Sequence, residues 1–149
     1  MLATRGEQLE GRRAIVSGSG NVAIYAMEKL QQLGSKVVAC SDSSGYVLDD
    51  SGIDLVLLKE VKEIRRGRIS DYAAIKGGGV RYIDGGSVWD VPCNIAIPSA
   101  TQNELTGRDA KTLVENGVVA ISEGANMPCT PEAVKLFQSA NIFFAPGKA

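Results

Sequence analysis

Apolar positions fall into short runs and helical repeats that alternate along the chain. Arg13-Ala14-Ile15-Val16-Ser17 is a compact apolar run, which predicts a buried strand ended by Gly18-Ser19-Gly20. Val22, Ala23, Ala26, Met27, Leu30 and Leu33 then recur at helical spacing, and Gly34 stands where a C-terminal cap belongs. Lys36 to Cys40 predicts a second strand. A strand, helix and strand within about 30 residues require parallel pairing and a right-handed crossover.

The middle of the chain is less regular. Ser43 to Gly52 reads as polar and turn-rich, whereas Asp54 to Arg66 sets Leu57, Leu58, Val61 and Ile64 on one helical face. Gly77 to Gly79 separates that helix from a weaker strand at Val80 to Ile83. Asn94 to Ile97 predicts a clear strand, bounded by Pro98 and leading to a helix with a capping box of Thr106 and Asp109 that ends near Asn116-Gly117. Val118 to Ser122 follows as a strand, Thr130-Pro131-Glu132 opens another helix, and Ile142 to Ala145 is a last strand. This alternation predicts one α/β domain over residues 1–149, a doubly wound, mainly parallel sheet of the Rossmann-like dinucleotide-binding type.

Composition narrows the chemistry. Of 149 residues, 44% are apolar, enough for a real core, and 16 basic residues against 17 acidic ones leave a net charge of −1. That balance offers no electrostatic footprint for nucleic acid or an anionic membrane. No apolar run approaches the roughly 18 residues of a membrane span, and no signal peptide opens the chain, so a cytoplasmic protein is expected. The chain has no histidine, which excludes histidine-based catalysis and histidine-ligated metals. Its cysteines, Cys40, Cys93 and Cys129, are odd in number and scattered, arguing against a disulfide framework and offering no zinc spacing. Cys93 and Cys129 are expected as small buried hydrophobes, Met27 as core, and Trp89 with Val88 and Val91 as packing under a loop.

Gly18-Ser19-Gly20-Asn21-Val22-Ala23 matches the G-x-G-x-x-G/A fingerprint in its required setting, directly after a strand and opening a helix. Gly18 permits the tight turn, Gly20 lets backbone amides approach a pyrophosphate, and Ala23 is small enough for close helix packing. The helix N-terminus adds partial positive charge. The plain alternative is a turn containing two glycines, with Asn21 capping the helix. Asp42 favours the dinucleotide, because it lies near the ~20-residue offset where a carboxylate meets the adenosine ribose.

Together with that fingerprint, Ser41-Asp42-Ser43-Ser44-Gly45, Ala100-Thr101-Gln102-Asn103-Glu104-Leu105, Glu123-Gly124-Ala125-Asn126-Met127-Pro128 and Ala145-Pro146-Gly147-Lys148-Ala149 resemble segments of glutamate dehydrogenase, in that family's order. The resemblance is to the NADP-linked, hexameric bacterial type. It implies an oxidoreductase that reversibly deaminates L-glutamate to 2-oxoglutarate and ammonia, passing hydride to a nicotinamide cofactor. It also implies an amino-terminal substrate domain carrying the catalytic lysine and aspartate, of which nothing is present here. The chain is therefore expected to be an excised coenzyme domain that binds cofactor without catalysing, its full-length enzyme a homohexamer. Glu123 and Asp84 are accordingly given no catalytic role, and no metal site is expected.

The cofactor is weighed from residues. Asp42 alone favours NAD, since a carboxylate accepts from a 2′-hydroxyl and repels a 2′-phosphate. Ser43 and Ser44 add hydroxyl donors, and Lys62 and Arg65 stand three apart on a helix where they could converge on one anion, or simply form a solvated face. Together these residues favour NADP. By resemblance Asn21 lies beside the pyrophosphate, Ala100 and Thr101 line the nicotinamide side, and Asn126 meets the nicotinamide or its ribose; Ser19 and Val22 are expected to bind cofactor as part of the fingerprint turn. Read plainly, Asn126 is a turn residue before Met127-Pro128. Rival readings are the coenzyme domain of another amino-acid dehydrogenase, a methyltransferase, or a non-catalytic nucleotide-sensing module.

Overall fold

A computed structural model describes residues 12–100, 104–124 and 128–145. Among these, seven strands form one mixed sheet: β1 (Arg13–Val16), β2 (Lys36–Ser41), β3 (Gly45–Leu48), β4 (Arg81–Asp84), β5 (Ile95–Ile97), β6 (Ala120–Ser122) and β7 (Phe143–Ala145), in the spatial order β4-β3-β2-β1-β5-β6-β7. Neighbours from β2 through β7 run parallel, while β3 and β4 join the other edge antiparallel. The helices are α1 (Asn21–Gln32), α2 (Leu55–Lys59), α3 (Ile69–Lys76), α4 (Gly107–Glu115) and α5 (Pro131–Ser139).

The strands are buried on both faces because their alternate residues feed two separate cores. Ala14 and Val16 of β1, with Ile95 and Ile97 of β5, pack against Ala23, Met27, Leu58, Ile69 and Tyr72 from α1, α2 and α3. Ile15 and Ala96 face the other way, onto Leu113 of α4, Phe137 of α5 and the short turn Val88–Asp90 that carries Trp89. On β2 the pairing with β1 slips by one residue between Ala14 and Ile15, so Val38 and Ala39 both enter this second core. Thr106 and Thr130 cap α4 and α5 as their spacing predicts, and Gly34 and Gly117 adopt φ of 92° and 90° after α1 and α4.

Three sequence expectations change. The stretch from Ser43 to Gly52 is not all turn: Gly45–Leu48 forms β3, whose four residues are too short, and too closely flanked by turn residues, to register as alternation. The expected long helix over 54–66 is α2 followed by a π-helical turn, Glu60–Ile64, closed by the Arg65 N–H donating to the Glu60 carbonyl. The extra residue in that turn rotates the following positions, so Leu58 and Val61 are fully buried whereas Ile64 is 77% exposed. Finally, α3 forms where no helical repeat is evident, held by the buried Ile69 and Tyr72 and by polar ties to β3.

Those ties converge on Asp49, only 2% exposed at the end of β3. Its carboxylate pairs with the Lys76 ammonium and accepts from Tyr72 Oη at 3.0 Å and Ser51 Oγ at 2.6 Å. Tyr72 Oη in turn accepts from the Asp54 N–H at 2.8 Å. Burial alone would push the Asp49 carboxyl up, but the hydrogen bonds from Lys76, Ser51 and Tyr72 outweigh it and hold the group below its ordinary value.

Two outcomes follow for stability. In urea denaturation, Leu58→Ala is expected to cost about 2–5 kcal/mol, while Ile64→Ala, on the outward side of the π-helical turn, stays within about 0.5 kcal/mol of the parent chain. Because the folded-state value of Asp49 is depressed, its stabilisation is fully present above its unfolded value near about pH 4 and is lost as pH falls through the lower folded-state value. Urea midpoints compared between neutral and acid pH are expected to show a loss in the parent chain that Asp49→Asn lacks.

Candidate functional site

The ends of β1, β2, β5 and β6 open on one edge of the sheet, where open α/β sheets take ligands. Gly18 leaves β1 with φ 88°, a conformation that suits glycine, and its N–H donates to Ser41 Oγ at 2.9 Å. A Cβ built on Gly18 would stand 3.2 Å from that of Ala100. The loop after β5 is drawn in further by the Ser99 N–H, which donates to Ser17 Oγ at 2.8 Å. Gly124, beyond β6, donates its N–H to the Pro98 carbonyl at 2.9 Å, and a side chain there would strike Ser99. Four strand ends are thus tied by short polar contacts through positions that tolerate no bulk.

Gly20 is the N-cap of α1, and that cap has no side-chain hydrogen bond. Asn21 is the first helical residue and does not cap the helix, and no acid stands in the first turn. Among the described residues nothing lies within 4 Å of the position a Gly20 Cβ would take. The first turn of α1 thus has neither a side-chain cap nor an acid, an arrangement suited to an anion. Ser19 is buried beneath this turn, while Asn21 and Val22 are exposed at its rim.

Next to it, Asp42 directly follows β2 and its side chain is 9% exposed. Its Oδ1 accepts from the N–H groups of Ser44 (2.8 Å) and Gly45 (3.2 Å), closing a tight turn. Its Oδ2 is buried, accepts no hydrogen bond from the described residues, and stands 3.4 Å from Arg68 Nε. Arg68 Nη2 donates to Ser43 Oγ at 2.7 Å and Ser44 Oγ at 2.8 Å. The two Nη1 donors have no partner among the described residues and remain available to an anion.

Arg68 is the residue that reading the sequence missed. It lies 26 positions beyond Asp42, in a segment whose helix was not evident, and Arg65, Arg66 and Arg68 together look like a solvated run. Of the pair expected to act jointly, Lys62 is half-buried and close enough to Cys40 for its charge to oppose the rise of that thiol, whereas Arg65 is exposed and turned to Glu60 at 3.9 Å. The structure therefore brings Gly18, Asp42, Ser43, Ser44 and Ala100 to one edge with Arg68, and leaves Arg65 on another contact. Thr101 and Asn126 lie outside the described residues.

The cysteines are buried. Burial, with Asp42 adding to it, pushes the Cys40 thiol up to about 12. Burial does the same for Cys93, to about 12, against the opposing charge of Arg13. Cys129 is raised by burial and by Glu123, whose carboxylate also accepts from the Cys129 N–H at 3.2 Å. Thiolates are thereby suppressed at all three positions. Among the described residues no cluster of acids and cysteines is placed to hold a metal ion, and no helix is long and apolar enough to cross a membrane.

A sequence model described as Glutamate/Leucine/Phenylalanine/Valine dehydrogenase matches residues 1–149. The chain is 55% identical over 152 residues to a glutamate dehydrogenase of Bacteroides thetaiotaomicron, covering all of this chain and 34% of that protein. It is 54% identical over 155 residues to an NADP-specific glutamate dehydrogenase of Helicobacter pylori, again covering all of this chain and 35% of the relative. A crystal structure of Plasmodium falciparum glutamate dehydrogenase superposes with a TM-score of 0.94 at 42% identity, over 99% of this chain and 32% of that one. The chain thus spans about a third of the length of the curated relatives it matches.

Gly18→Ala tests the tied turn. The left-handed backbone and the approach of Ala100 are expected to make it cost about 1–3 kcal/mol in chemical denaturation, whereas Gly20→Ala, with open space before it, costs less.

Proposed function

Given that the chain belongs to the Glutamate/Leucine/Phenylalanine/Valine dehydrogenase family, we propose that it is the Rossmann-like, doubly wound coenzyme-binding domain of a glutamate dehydrogenase and that it binds NADP. The observation that carries this reading is the cluster of Asp42, Ser43, Ser44 and Arg68 beside the glycine turn and the uncapped N-terminus of α1. The reading includes a substrate domain elsewhere in the same polypeptide, assembly of the whole enzyme as a cytoplasmic homohexamer, and reversible oxidative deamination of L-glutamate to 2-oxoglutarate and ammonia. This portion binds and orients the cofactor and supplies no general acid or base.

The residues present fit the dinucleotide. The Gly18–Gly20 turn and the first-turn N–H groups of Asn21, Val22 and Ala23 would hold the pyrophosphate, with the α1 dipole directed at its charge. The Asp42 carboxylate, directly after β2, is the acceptor suited to a ribose hydroxyl. A bare carboxylate at this position would repel a 2′-phosphate, but Arg68 faces Asp42 at 3.4 Å and offsets its charge, and its Nη1 donors would be left for a phosphate oxygen. Ser43 and Ser44 add hydroxyls on the same side, and the half-buried Lys62 adds positive charge nearby. Ala100, held against Gly18, would border the nicotinamide side, and Thr101 and Asn126 are assigned to the same end. When bound, the nicotinamide supplies the hydride acceptor or donor. The chain's own contribution is to fix that ring at the strand ends and to select the phosphate at the other end.

Calorimetric titration with NADP and NAD separately tests this reading. The parent chain is expected to bind NADP more tightly, and Arg68→Ala to weaken NADP by roughly 10- to 100-fold, as for loss of charged hydrogen bonds, with little change for NAD. Preference for NAD, unaffected by Arg68→Ala, would make Asp42 the deciding residue and overturn the phosphate assignment.

A further inference from the structure

Helix α3 carries Arg68 immediately before its first turn and Lys76 in its last, and both side chains reach back to the same hairpin strand. Arg68 holds Asp42, Ser43 and Ser44 at the start of β3. Lys76 holds Asp49, and donates to the Gly52 carbonyl at 3.2 Å and to Ser51 Oγ at 3.4 Å, at its end. The helix from 68 to 76 rises about 12 Å, while the strand from 44 to 49 extends roughly 17 Å. Only long side chains at both helix ends can span the difference, which is what arginine and lysine supply.

Apolar packing alone does not set where α3 lies along β3. Ile69 and Tyr72 are fully buried, but apolar contact is non-directional and resists sliding weakly. The chain leaves the helix through Gly77 and Gly78, at φ 61° and 64°, with nothing among the described residues within 4 Å of where their Cβ atoms would stand. It enters through Arg66, itself at φ 52°, and Gly67. The directional restraints include the two side-chain clamps, the Tyr72 hydroxyl between Asp49 and Asp54, and the Gly67 N–H that donates to the Val61 carbonyl at 2.7 Å ahead of the helix.

We propose that Asp49 and Lys76 are positioning residues for cofactor discrimination: by pinning the far end of α3 they set where the Arg68 guanidinium stands, and so govern recognition of a 2′-phosphate they do not touch. This rests on the NADP reading above. A charged hydrogen bond from Nη1 to a phosphate oxygen depends on distance and angle, so a shift of about 1 Å along the helix axis impairs it. The pyrophosphate end is built on α1, which meets α3 through apolar packing in the shared core. Loss of the clamp therefore weakens NADP and spares NAD.

The test is calorimetric titration of both dinucleotides into the chain carrying Asp49→Asn with Lys76→Met, which removes both charges together and strands neither, beside Lys76→Arg and Arg68→Ala. The double variant is expected to lower NADP affinity about tenfold, within the usual range of coupling between sites, with NAD unchanged, while Lys76→Arg keeps the parent ratio. An unchanged ratio in the folded double variant, or an equal loss for both cofactors, overturns the proposal. If the double variant melts below the titration temperature, Lys76→Gln takes its place; a lowered NADP-to-NAD ratio supports the clamp and a parental ratio overturns it. Arg68→Ala separates the two claims. If it collapses the ratio while the clamp variants do not, only the clamp fails; if it leaves the ratio intact, the phosphate site fails and the clamp with it.

Discussion

The left-handed turn at Gly18 is the constraint on which this edge of the sheet depends. Because the backbone bends there without a side chain, β1 ends with an N–H aimed at Ser41 on β2 and a bare Cα against Ala100 beyond β5. The two neighbours of the central strand are therefore tied to it at the same level. The Ser17–Ser99 hydrogen bond and the Gly124–Pro98 contact extend this level to β6. With the loops held down, α1 starts at the edge of the sheet with no side-chain cap.

Charge at this edge is arranged by compensation. A carboxylate after β2 is suited to ribose hydroxyls and poorly suited to phosphate, yet Asp42 is mostly buried, engaged on one oxygen by backbone N–H groups and faced on the other by Arg68. The guanidinium that neutralises it also bonds both serine hydroxyls. The arginine reaches this position because α3 lies along β3, and α3 lies there because of buried Ile69 and Tyr72 and the polar network around Asp49. An antiparallel hairpin added to the parallel part of the sheet thus supports the arginine that contacts the Asp42 turn.

Much of this was legible in the order of residues. The fingerprint turn, α1, β2 and Asp42 are local: a few adjacent residues carry the turn geometry, the repeat and the strand end. The caps at Thr106 and Thr130 are equally local. What could not be read is what depends on phase or on partners far away. Ile64 fits the apolar face of a regular helix, but one wide turn rotates it outward. The four residues of β3 carry too little pattern to be distinguished from a turn, and they become a strand because β2 and β4 supply hydrogen bonds on both sides.

The basic residues make the same point at the site. Lys62 and Arg65 have the spacing of a convergent pair, yet Arg65 turns to Glu60, while Arg68, which has no spacing relation to Asp42, sits on its turn. The amino-acid sequence by itself determined the glycine turn after β1, the helices and strands with a clear local repeat such as α1 and β2, and which carboxylate follows β2, because these depend on neighbours within a few positions. Only the tertiary structure decided which cation meets that carboxylate. A long side chain goes where packing puts its backbone, and the packing of α3 against β3 is a contact between residues more than twenty positions apart.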